Sequence, residues 1–253
     1  MDLFDGEDDD DDDARPANCG VLVFHDGTEE ALLATIESTV GSVAKDPELV
    51  LRAVDDFCER RHWMMNVGPE KGKILLSAVA GVKSRGRPIC VCELGVYVGY
   101  SAVLVGKALG PDDRFLGVEI DPRACEWARR VVRLAGLEHR IEICCADAST
   151  LAAQIERRAW PAIDVLFIDH DKAAYLRDLR AVEAKLASPG GVVVADNVLS
   201  FDGGASMRDY LAYVRGGDAT TSPFVESVFY PASVEYSGGG PDMEDGVEVS
   251  VHR

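Results

Sequence analysis

Five short apolar runs between Ile89 and Ala195 alternate with amphipathic stretches, and this alternation constrains the fold more than any other feature of the chain. The runs are Ile89 to Leu94, Phe115 to Glu119, Ile141 to Cys145, Ile163 to Asp169 and Val192 to Ala195. Helical periodicity follows each, over Ser101 to Leu109, over Pro122 to Ala135, from Ser149, over Tyr175 to Ala187 and over Met207 to Arg215. Near-continuous strands separated by helix-length segments predict crossover units and a mostly parallel central sheet with helices on both faces. Upstream, the N-cap pattern Asp26-Gly-Thr-Glu-Glu and Pro47 start two helices, and a third is predicted from about Gly72 to Ser84. Downstream, Phe224 to Tyr230 and Val247 to His252 are β-rich, and the loop between them carries Gly238-Gly-Gly-Pro and no helix. They predict an antiparallel edge hairpin at the C-terminal end of an α/β fold.

The chain has 253 residues, 47% of them apolar, which suits one α/β domain over residues 21–253. Residues 1–13 carry nine acidic and no basic side chains, so residues 1–20 are expected to be a disordered acidic tail rather than a secretory signal. That tail accounts for half of the formal charge of −18. The remaining −9 argues against a nucleic-acid partner, which requires a Lys/Arg face. With no run long enough to cross a bilayer, the expected address is cytoplasmic, with no membrane partner and a monomeric state. The seven cysteines show no CxxC pair and fall mostly in apolar patterns, so they are expected to be reduced core residues.

The first run enters its helix through Glu93-Leu-Gly-Val-Tyr-Val-Gly-Tyr-Ser101. A glycine turn of this kind brings bare N–H groups and a helix N-terminus to the carboxyl edge of the sheet. Three residues separate Gly95 from Gly99, which is not the GxGxxG of a pyrophosphate turn, and Glu93 would repel a phosphate. A nicotinamide-dependent oxidoreductase is disfavoured on that spacing. Glu119 ends the next strand, where a carboxylate accepts hydrogen bonds from ribose hydroxyls, so the expected ligand is a nucleoside without a pyrophosphate. The fourth and fifth strands end at Asp169-His-Asp-Lys172 and Asp196-Asn197. Two carboxylates and an amide oxygen at neighbouring strand ends suit magnesium, although each piece alone also fits a helix cap or a turn.

From about Val40 onward these motifs, in order with Trp63-Met-Met-Asn-Val-Gly68, Tyr210-Leu-Ala-Tyr-Val-Arg-Gly and Val234-Glu-Tyr, resemble the catechol O-methyltransferase family and its Rossmann-like fold. The resemblance implies Mg²⁺-dependent methyl transfer from S-adenosylmethionine (SAM) to a catechol-type small molecule. By resemblance, Asp169, Asp196 and Asn197 hold Mg²⁺ and Lys172 is the general base. Glu235 hydrogen-bonds the second catechol hydroxyl. The methyl donor is surrounded by Val67, Glu93, Gly95, Tyr97, Ser101, Glu119, Ile120, Ala148, Asp169 and His170, and Trp63 forms a wall of the acceptor slot. Lys172 can take a proton only while its amine is neutral, which a nearby cation and partial burial favour. Two departures bear on the acceptor. Asp171 stands where animal members carry a gating tryptophan, in a motif similar to the Asp-Ala-Asp-Lys of enzymes that methylate caffeoyl-coenzyme A. The proline expected after Asp196-Asn-Val is missing, and Phe201 is a candidate substitute for the lost apolar wall. The alternatives are therefore a caffeoyl-type acceptor or a non-catalytic binding protein on the same fold.

Overall fold

The computed structural model describes residues 26–41, 45–199, 204–216, 222–237 and 244–253. Three helices come first, α1 (Thr28–Val40), α2 (Pro47–Arg60) and α3 (Gly68–Lys83). The alternating part follows as β1 (Cys90–Leu94), α4 (Tyr100–Gly106), β2 (Arg114–Glu119), α5 (Pro122–Leu134), β3 (Ile141–Cys145) and α6 (Leu151–Arg157). It continues as β4 (Val165–Ile168), α7 (Tyr175–Val182), β5 (Val192–Ala195) and α8 (Arg208–Arg215), and the chain closes with β6 (Phe224–Ser233) and β7 (Glu244–His252).

The seven strands lie in the order β3-β2-β1-β4-β5-β7-β6. The first five are parallel, and β7 runs antiparallel between β5 and β6, the expected edge hairpin. The order reverses between β1 and β4, where Leu94 registers with Val118 on one side and Ile168 on the other. Chain exits level at this switch point open a crevice at the carboxyl edge, where ligands of open α/β sheets bind.

The apolar runs are continuous because both sheet faces are covered. Val91, Phe115, Val165 and Val194 pack under the helices α1 to α5. Their neighbours Cys92, Leu116, Leu166 and Val193 pack under α6 to α8 on the opposite face.

Several boundaries move. α3 begins at Gly68 rather than about Gly72, because Pro69 is compatible with a first helical turn and Gly72 lies inside the helix under Leu104. α4 ends at Gly106, and the helix after β4 stops at Val182 and finishes as a 3₁₀ turn over Glu183–Lys185. Asp169 follows β4 instead of belonging to it. β7 starts three residues earlier than Val247, since Glu244-Asp-Gly246 looks like loop yet pairs with Ser233 to Pro231 of β6. Six free cysteines are described, and Cys145 is exposed rather than a core residue, because it ends β3 on its solvent side. The acidic tail, Cys19 and Phe201 lie outside the described residues. Among the described residues no helix is long and apolar enough to cross a membrane.

Candidate active site

A cleft of about 870 Å³ opens at the switch point, and its walls carry most of the residues singled out from the sequence. Gly95 and Gly99 both have positive φ, 85° and 89°. A Cβ at Gly95 would collide with the Asp169 carbonyl, so this glycine lets the ends of β1 and β4 close on each other. Tyr97, at φ 48°, takes the left-handed conformation without that excuse. Glu119 holds the turn in place: its Oε2 accepts from the N–H groups of Val96 (2.9 Å) and Tyr97 (3.0 Å), and its Oε1 from Asp121 N (3.0 Å). Those bonds leave lone pairs on both oxygens, so the carboxylate retains capacity for ligand hydroxyls.

Glu93 does not line the cleft directly. It is 1% exposed, behind Ser101, whose hydroxyl donates to Oε1, while its Oε2 is buried with no hydrogen-bond partner among the described residues. Burial raises its pKa well above the ordinary value, against the Ser101 hydrogen bond. Such an orphan acceptor suits a donor-rich or cationic ligand. Val67, Tyr97, Ile120, Ala148 and His170 line the cleft. Ile120 is 67% exposed, an apolar surface open to the cleft. The His170 Nε2–H donates to Asp178 Oδ2 (2.7 Å), which leaves Nδ1 a buried acceptor without a partner among the described residues. Burial lowers the His170 pKa, favouring the neutral ring.

The other end of the cleft is charged. Lys172 Nζ donates to Asp169 Oδ1 (3.2 Å), Asn197 Oδ1 (3.2 Å) and the Tyr175 hydroxyl (2.7 Å). Burial pushes the Asp169 carboxyl up to about 7, with Lys172 pulling the other way and Asp196 adding to the rise. Beneath them, Lys71 of α3 is 1% exposed and ion-paired to Asp196 Oδ1 (3.0 Å) and to Asp245 of β7. Burial disfavours the Lys71 ammonium, but the two carboxylates outweigh it and raise its pKa. Three carboxylates thus face two ammonium groups, and Asn197 adds an amide oxygen. That hard-oxygen set fits a divalent cation. Among the described residues no group of three His, Cys, Asp or Glu side chains is placed to hold a metal ion, so the set depends on the Asn197 amide oxygen beside Asp169 and Asp196.

Glu235, which from sequence alone reads more readily as a solvated residue, is only 8% exposed. Its Oε1 accepts from Lys71 N (2.9 Å) at the start of α3, and its own carbonyl accepts from Trp63 Nε1 (2.7 Å). A Cβ at Gly68 would strike this carboxylate. Burial pushes the Glu235 carboxyl up to about 8. Asp171 caps the 3₁₀ turn Lys172–Ala174 by accepting from Ala173 N (3.2 Å) and lines the cleft mouth. Lys71 and Asp245 were not singled out from the sequence. In Gly68-Pro-Glu-Lys71 the lysine looks like any solvated first-turn residue, and Asp245 looks like part of a loop.

The model of the family described as O-methyltransferase matches residues 41–210. Mouse catechol O-methyltransferase is 34% identical over 210 residues, covering 82% of this chain and 73% of its own. Zebrafish catechol O-methyltransferase B is 36% identical over 208 residues, 81% and 72%. Among solved structures, an O-methyltransferase of Streptomyces achromogenes in complex with SAM superposes with a TM-score of 0.63 at 21% identity, covering 80% of this chain and 89% of that one.

Proposed function

The chain belongs to the O-methyltransferase family, and from that premise we propose that it transfers a methyl group from SAM to one hydroxyl of a catechol-type small molecule with the help of Mg²⁺. The observation that carries this reading is the convergence of Asp169, Asn197 and Glu235 on Lys172's end of a cleft whose other end is the Glu119-braced glycine turn. The mouse and zebrafish relatives are named for catechol, and the Streptomyces structure holds SAM. Both support the assignment of donor and acceptor.

In this reading Asp169, Asp196 and Asn197 would hold the cation, which supplies positive charge that favours ionisation of an acceptor hydroxyl. Lys172 Nζ receives the hydroxyl proton. Glu235, with its raised pKa, holds a proton near neutral pH and can either donate to or accept from the neighbouring hydroxyl. Val67, Glu93 and Glu119 bind the donor, Trp63 borders the acceptor, and the chain forms no covalent bond to either. Holding oxygen, methyl carbon and sulfur in line is the main source of acceleration, because proximity alone can supply roughly 7–11 kcal/mol of the barrier.

Incubation with labelled SAM and a panel of a simple catechol, a cationic catechol and a caffeoyl ester, with and without EDTA, tests this. Methylated catechol formed only without EDTA is expected. Turnover indifferent to EDTA removes the cation, preference for the ester moves the acceptor class, and SAM binding without turnover on any acceptor favours a binding protein. Lys172→Ala is expected to lower kcat about 100-fold or more, the lower bound for loss of a positioned base, with SAM affinity retained.

A further inference from the structure

The Asn197 carboxamide is held from behind. Its Nδ2 donates to Asp245 Oδ2 (2.7 Å), while its Oδ1 accepts from Lys172 Nζ (3.2 Å) on the cleft side. The opposite orientation would set the amide nitrogen against an ammonium and the amide oxygen against a carboxylate, so Asp245 dictates which end of the amide faces the cleft. The main chain is held too. Asn197 has φ 53°, and its N–H donates to Asp196 Oδ1 (2.8 Å). Lys71 closes the loop, since its buried ammonium touches the same Asp196 Oδ1 and the same Asp245 Oδ2. Among the described residues, the hydrogen bond and the ion pair of the Asp196 carboxylate both fall on Oδ1, which leaves Oδ2 for a ligand. Asp245 is in turn tied to Leu199 N through Oδ1 (3.3 Å).

We propose that Asp245, anchored by Lys71, is a positioning residue that holds Asn197 and Asp196 as a preformed oxygen cradle for a divalent cation. This rests on the cation reading given above. Asp245 does not line the cleft and the Lys71 ammonium is buried against Asp196 and Asp245, so both act through the two side chains that they orient. The arrangement is a carboxylate behind a ligand, where loss of the outer partner lowers metal affinity by roughly 10- to 100-fold.

The test is Mn²⁺ binding to the full chain, measured by the electron paramagnetic resonance of free Mn²⁺, alongside SAM calorimetry and thermal unfolding without metal. Asp245→Leu is expected to weaken Mn²⁺ binding about tenfold or more while SAM affinity in the absence of metal stays within about twofold. Asp245→Asn keeps an acceptor oxygen for the amide and is expected to bind Mn²⁺ more tightly than Asp245→Leu. Should Asp245→Leu fail to fold with Lys71 left less well paired, Lys71→Met/Asp245→Leu removes the buried charge mismatch and is expected to show the same Mn²⁺ defect. A lower melting temperature with unchanged Mn²⁺ affinity overturns the proposal, as does equal weakening by Asn and Leu. Failure of the underlying reading is distinct: there the unsubstituted protein itself binds no Mn²⁺ and turns over in EDTA.

Discussion

Glu235 shows how a single side chain acquires chemistry from its surroundings. Its ordinary pKa is 4.5 and burial lifts it to about 8 in the fold, so unfolding releases a proton anywhere between these values. Stability contributed through this group therefore falls as pH rises from about 4.5 to 8, at no more than about 1.4 kcal/mol per pH unit. Glu235→Gln lacks that dependence, and its melting temperature relative to the unsubstituted protein is expected to rise between pH 5 and pH 8. A difference that does not change with pH would remove the buried acid. In the sequence Val234-Glu-Tyr was legible only as a family motif. The burial itself was not, because it comes from Trp63 and Gly68, about 170 residues away, which clasp the β6 end against the start of α3. Asp169, Lys172, Asp196 and Asn197 were legible because they follow directly on two apolar runs, and the neighbouring parallel strands β4 and β5 bring their ends together.

At the scale of elements, the parallel strands could be read from their unbroken apolar runs, whereas the start of β7 could not, since its first residues Glu244 and Asp245 are acidic. The polar residues inside this hairpin are paired across elements. Glu248 of β7 is fully buried and accepts from Arg215 of α8 through both oxygens, at 2.8 and 2.7 Å, and from Ser227 of β6. This pair ties α8 to the hairpin on the face away from Lys71. Arg215→Met strands a buried carboxylate, and the cost is expected at about 2 kcal/mol, below that of a fully buried pair because Arg215 is half open to water. Chemical denaturation should show that loss while kcat at low temperature is unchanged; a stable variant would mean that water satisfies Glu248 without the arginine.

The whole molecule adds a field to these local contacts. The formal charge is −18, and five aspartate or glutamate side chains besides the protonated Glu235 line the cleft against Lys71, Lys172 and Arg177. A low-dielectric cleft with an excess of one sign concentrates ligands of the other, and salt weakens the effect as the Debye length shrinks. In the proposed reaction the donor carries a sulfonium and the spent product, S-adenosylhomocysteine, does not, though the two are otherwise nearly the same size. The field should therefore favour the loaded donor over the product, and the preference should depend on ionic strength. Calorimetry from about 0.02 to 0.5 M salt is expected to weaken SAM binding roughly two- to fivefold more than binding of the product. Parallel salt dependences would mean that discrimination between them is made entirely by contacts at short range, and that the acidity of the chain has no part in turnover.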